Sequence, residues 1–173
     1  MRSLKAFTFL EVILYVAIIS IFLVTSILFS WDVVYGGIKS NTQQEVSYNL
    51  RLVSSRISYE TRNAVSVNSV GLSSISLESS DSSRNPTVID LNAGQVRIGY
   101  GNSGGCPIAN PCALTSNRVN VTSLNFENLT DVEEKAIIIK FEIVLEHVNP
   151  SNQANWEKSQ SYSSSVELRS NSK

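Results

Sequence analysis

The chain has 173 residues, a net charge of −1 and 42% hydrophobic residues, which suits one domain with an appended segment. A near-neutral balance without a long basic or acidic block gives no electrostatic reason to expect nucleic acid. One His and two Cys are too few for a Cys/His metal centre, and they argue against a metal hydrolase.

The first element is apolar. From Phe7 to Trp31 runs a predominantly hydrophobic stretch of 25 residues. As a helix it reaches about 37 Å, more than the ~30 Å of a bilayer's hydrocarbon core. A cleaved secretory signal would have a shorter apolar region followed by a small-x-small site, and none follows here. Arg2 and Lys5 precede the run, whereas Asp32 and Lys39 cancel after it. The positive-inside rule therefore predicts a cytoplasmic N-terminus and an external C-terminal part. Glu11 stands out, because a carboxylate at a bilayer centre costs about 2.5–3.5 kcal/mol, and somewhat less near an edge.

Gly36-Gly37 follow the span, either as a hinge or as two tolerated glycines. Beyond them Ile38, Val46, Leu50, Val53 and Ile57 recur at helical spacing, with Arg51, Arg56, Glu60 and Arg62 off the stripe. That pattern predicts an amphipathic helix to about Asn63, its stripe laid on the chain's own sheet in preference to a coiled-coil partner. From Ala64 the period changes to two. Alternation in 74–78, 88–91, 95–100, 119–126 and 162–169, with a longer apolar run over 137–146, predicts strands. SSDSSRNP, NAGQ, GNSGG and NPSNQ supply the turns of an antiparallel arrangement. The Ser-rich stretch 66–83 reads as exposed strand and loop, since Ile75 and Leu77 still alternate within it. Periodicity alone thus predicts an α+β fold with a meander.

Cys106 and Cys112 enclose five residues in GGCPIANPCAL. An external location favours a structural disulfide over a metal site, with free thiols the alternative in a reducing envelope. No enzyme is expected. There is no nucleophile elbow, and Gly101, Gly104 and Gly105 lack the Lys of a phosphate loop. Adjacent Glu133 and Glu134 read as a solvated turn. The two Asn-x-Thr matches at Asn120 and Asn128 carry no weight in so Asn- and Ser-rich a chain.

The order Lys5-Ala6-Phe7-Thr8-Phe9-Leu10-Glu11, followed by the apolar run, resembles the class III signal of type IV pilins and type II secretion pseudopilins. The resemblance covers about 25 residues. It implies a short basic leader, residues 1–6, cut by a prepilin peptidase between Ala6 and Phe7, with methylation of the new Phe7 amine. Lys5 would stay in water at the cytoplasmic face. Glu11 becomes the fifth mature residue, the place of the family's assembly glutamate. There it meets a neighbouring subunit's N-terminal amine, an opposite charge that offsets the cost of its desolvation. The implied fold is a long N-terminal helix, membrane-spanning over 7–35 and amphipathic over 36–63, packed on an antiparallel β-sheet within a pilin-like domain, residues 64–173. The implied partners are other pilin or pseudopilin subunits, the peptidase, an inner-membrane assembly platform and membrane lipid. No cofactor and no small-molecule substrate is expected. The implied location is the bacterial inner membrane and then a pilus or pseudopilus serving secretion, DNA uptake, adhesion or motility. Two departures from the family pattern are Ala6 where the leader normally ends in Gly, and the lack of a Pro in the membrane helix, the first Pro being Pro86. The late strands are also loosely similar to J-type minor pseudopilins and minor pilins. A signal-anchored envelope binding protein that never polymerises is the alternative.

Overall fold

The computed structural model describes residues 8–101, 105–130, 136–150 and 153–169. Among the described residues one α-helix, α1 (Phe9–Asn63), is followed by eight strands. The chain divides into two compact units, 1–40 and 41–173, each described by itself below.

In the first unit α1 carries its apolar side chains bare. Every large hydrophobic from Phe9 to Tyr35 is exposed, and this part of the helix is long and apolar enough to cross a membrane. The helix continues through Gly36 and Gly37, and a Cβ added at either would meet no atom within 4 Å.

In the second unit α1 has one buried face. Val46, Val53 and Ile57 are fully buried, joined by Thr42, Asn49, Ser54, Glu60 and Thr61. These positions recur every three or four residues, the spacing that keeps one side of a helix against a core. Of the stripe read from the sequence, Ile38 and Leu50 are only half-buried. Glu60, placed off the stripe by its charge, is buried.

Two antiparallel sheets meet this helix, where periodicity suggested one. The first is a five-stranded meander in chain order: β1 (Ser66–Val70), β2 (Ser74–Glu78), β3 (Thr87–Asn92), β4 (Gln95–Tyr100) and the short β5 (Cys112–Ala113). The second contains β6 (Val119–Asn128), β7 (Ile138–His147) and β8 (Ser159–Glu167), with a one-turn 3-10 helix (Ala154–Trp156) before β8. The two are joined where β6 crosses the hairpin turns of the first sheet. Val121 N donates to Gly94 O at 2.8 Å, and Phe126 N donates to Leu72 O at 3.1 Å. These contacts are remote in sequence, so local periodicity cannot reveal that the strands split into two sheets.

Alternation places the core. Ile75 and Leu77, Ile89, Val96 and Ile98 point inward from the first sheet; Ile139, Phe141, Ile143 and Leu145 do so from β7. In β6 the inward set changes phase, from Val119 and Val121 to Leu124 and Phe126. A register shift between Val121 and Ser123 accounts for this, since one extra residue in a strand moves all later side chains to the other face. The β3–β4 hairpin turns on Ala93 and Gly94, both at positive φ, the two-residue turn whose twist matches its strands. Gly94 is required twice over, because a Cβ there would stand 2.0 Å from Asn120 Oδ1.

Candidate functional site: the N-terminal helix and its anchorage

The start of α1 has a local logic. Thr8 precedes the first helical residue, and Glu11 N donates to both Thr8 Oγ1 (3.3 Å) and Thr8 O (3.1 Å). Thr8-Phe9-Leu10-Glu11 has the spacing of a capping box, with Thr at the N-cap and Glu three residues on. Glu11 therefore sits in the first turn, where unpaired backbone N–H groups and the helix dipole favour a negative charge by about 0.3–1 kcal/mol. Part of its cost is offset inside its own chain. Thr8 and Glu11, three residues apart, carry this signal in the sequence beside the assembly role that the resemblance implies for Glu11. Lys5, Ala6 and Phe7, the positions of the expected leader charge and cut, lie outside the described residues.

Three hydroxyls along the apolar stretch bond to the helix's own carbonyls. Ser20 Oγ donates to Val16 O at 2.7 Å, and Ser30 Oγ donates to Ser26 O at 2.8 Å. Thr25 Oγ1 reaches Phe22 O at 2.9 Å and Ile21 O at 3.1 Å. In hydrocarbon such back-bonding keeps hydroxyls from being left unpaired. At the far end Trp31 and Tyr35 stack with ring centroids 5.8 Å apart. These amphipathic rings suit the membrane–water interface.

The second half of α1 is fixed to the sheets by two polar clusters as well as by its apolar face. Glu60 is 6% exposed and holds Arg56 at 3.0 Å and Arg84 at 2.6 Å. Tyr100 Oη donates to Glu60 Oε1 at 3.0 Å, Arg56 Nη2 bonds to the same Tyr100 hydroxyl, and Arg84 lies over the Tyr100 ring at 4.5 Å. Burial pulls the Arg84 pKa down, but the charge of Glu60 and the Tyr100 bond more than offset this and raise it. One carboxylate thus ties the helix, the β2–β3 loop and the end of β4 together. The second cluster is centred on Glu45 and Asn49. Ser116 N donates to Asn49 Oδ1 at 2.8 Å, and Ser116 Oγ donates to Glu45 Oε1 at 2.9 Å. On another flank Ser47 Oγ donates to Gln160 Oε1 in β8 at 3.0 Å.

Cys106 and Cys112 are joined in a disulfide. The ring it closes lies along β4: Tyr100 N donates to Cys106 O at 2.7 Å, Cys112 pairs with Ile98, and Ile108 N donates to Gly101 O at 3.2 Å. Gly99 leaves room for it, since a Cβ there would stand 2.9 Å from Ile108 Cα. Among the described residues no group of three or more His, Cys, Asp or Glu is placed to hold a metal ion. Glu133 and Glu134 fall outside the described residues.

Comparison with known proteins returns nothing. No protein-family model, curated protein or solved structure matches the chain.

Proposed function

We propose that this chain is a structural subunit, of the minor class, of a type IV pilus or type II secretion pseudopilus. It is cut between Ala6 and Phe7, methylated on Phe7, and assembled through α1 in the bacterial inner membrane with its C-terminal domain outside. The observation that carries the reading is the division of labour along α1. Its first part keeps every large apolar side chain from Phe9 to Tyr35 uncovered, whereas its later part is held on two sheets by Val46, Val53, Ile57 and the Glu60 cluster. A bare apolar helix on a folded domain suits a subunit whose helix is covered by lipid before assembly and by neighbouring helices after it. The pilin-like arrangement of helix and antiparallel strands, and the resemblance of residues 5–11 to the class III signal, support the same reading.

Glu11 then has two successive partners. In the membrane the positive end of the helix dipole favours its charge; in the filament a neighbour's Phe7 amine adds an opposite charge in a low-dielectric setting. The test is Glu11→Leu expressed in the native host. Membrane insertion is expected to be unchanged or improved, while the amount of subunit in sheared filaments, read by immunoblot against membrane-bound protein, falls several-fold. Wild-type incorporation of the variant would remove the pairing.

A further inference from the structure

Two adjoining cavities lie among the β3–β4 turn, the start of β6 and the β7–β8 connection. One, about 520 Å³, is lined by Glu146, His147, Asn149, Glu157, Lys158 and Ser159. The other, about 450 Å³, shares Glu146, His147 and Asn149 and adds Gln95, Asn117 and Asn120. Each volume falls in the ~300–1,000 Å³ range of small-molecule sites, but such sites are usually walled by apolar and aromatic side chains. Here four primary amides and two carboxylates stand beside Ala93, Val119, Val148 and Pro150. Gln95 and Asn117 each present a donor and an acceptor in one plane, and a carboxylate accepts from two hydroxyls at once, so these groups match a ligand dense in hydroxyl groups. Trp156 is not a lining residue but packs beside one, His147. Its ring centroid is 5.6 Å from that of His147, and the residue stays 38% exposed.

The walls are held before any ligand arrives. Asn120 Nδ2 donates to Glu146 Oε1 at 2.8 Å, and the close fit of Gly94 against Asn120 fixes the opposite wall. Asn149 clasps the connection through Nδ2 to Gln153 O (2.9 Å) and from Gln153 N to its own Oδ1 (3.1 Å). Binding to a preformed groove loses less ordering entropy. Charge narrows the class of ligand. Among the described lining residues Glu146 and Glu157 face one cation, Lys158, so the lining repels phosphates, uronates and sialic acids. We propose that the groove around Glu146, His147 and Asn149 binds short neutral saccharides.

Full-length protein in a detergent without a sugar headgroup should be titrated with maltose, lactose, N,N′-diacetylchitobiose and sialyllactose, followed by calorimetry and tryptophan fluorescence. Saturable one-to-one binding of at least one neutral disaccharide is expected, with sialyllactose weaker than lactose. Gln95→Ala and Glu146→Ala should each weaken it about tenfold, the effect of losing one or two hydrogen bonds. Asn117→Ala, at an exposed side chain, guards against a folding artefact, and thermal midpoints are read for every variant. Absence of saturable binding to all three neutral sugars, binding untouched by all three substitutions, or tighter binding of sialyllactose than of lactose would overturn the proposal.

Discussion

Glu60 shows how one side chain can decide where a helix rests. It is buried with two arginines that remain about a third exposed, and it accepts a hydrogen bond from Tyr100. Removing its charge leaves Arg56 and Arg84 facing each other without an anion between them. Breaking a fully buried pair costs about 3–5 kcal/mol; with solvent reaching both arginines, Glu60→Gln should destabilise by about 2–3 kcal/mol in denaturant unfolding. Burial of Glu60 was not legible in the sequence, because a charged residue off an apolar stripe is ordinarily solvated, and its partners Arg84 and Tyr100 lie 24 and 40 residues away. Its neighbour Ile57 was legible, being apolar and in phase. A second residue-scale expectation concerns acid. The Ser83 hydroxyl and, after it, the Ser83 backbone N–H hold the Asp81 carboxyl below its ordinary value of 3.8. On the second sheet Lys140 holds Glu142 below 4.5. A depressed folded-state pKa gives stability that is fully present above the unfolded value and is lost as pH falls through the folded one. The thermal midpoint should therefore stay level from neutral pH to about 5 and decline below about 4. Asp81→Asn combined with Glu142→Gln should flatten that decline.

The elements differ in how far local patterning reveals them. The end of α1 at Asn63 is legible because the helical period stops at Ala64 and a period of two begins. β2 and β4 are legible from clean alternation. β1 is hidden in a Ser-rich stretch with few apolar residues, and β5 is two residues set by its place beside β4. β6 reads as one strand, yet its inward phase breaks at the shift between Val121 and Ser123, which a strict period of two does not foresee. The capping box is legible as Thr8 and Glu11 three residues apart at the edge of the apolar run. The disulfide ring is an element in its own right, laid along β4 with Tyr100, a member of the Glu60 cluster, bonded to Cys106 O. Cys106→Ser with Cys112→Ser should cost about 2 kcal/mol, the loop-closure entropy of so short a ring. The same change should loosen Tyr100, seen as faster amide exchange at β4 than at β7. Equal exchange in both strands would separate the ring from the Glu60 cluster.

For the whole molecule, the expected long N-terminal helix followed by antiparallel strands is present as α1 (Phe9–Asn63) and β1–β8 among the described residues. The two-sheet arrangement needed the contacts of Gly94 and Leu72 with β6, which join residues far apart in the chain. The proposed processing site, Lys5-Ala6-Phe7, comes immediately before Thr8 in the sequence. Ala6 is one methyl larger than the Gly that usually ends such leaders. Ala6→Gly should process at least as fast, and a β-branched residue there should block cutting. The measurement that bears most directly on the subunit reading is the intact mass and N-terminal sequence of protein isolated from its native host. The account predicts a chain that has lost Met1–Ala6, begins Phe7-Thr8-Phe9-Leu10-Glu11 and carries one added methyl on the Phe7 amine. A mature chain that still begins at Met1 would contradict it, leaving a plain membrane anchor whose Glu11 is explained by helix capping alone.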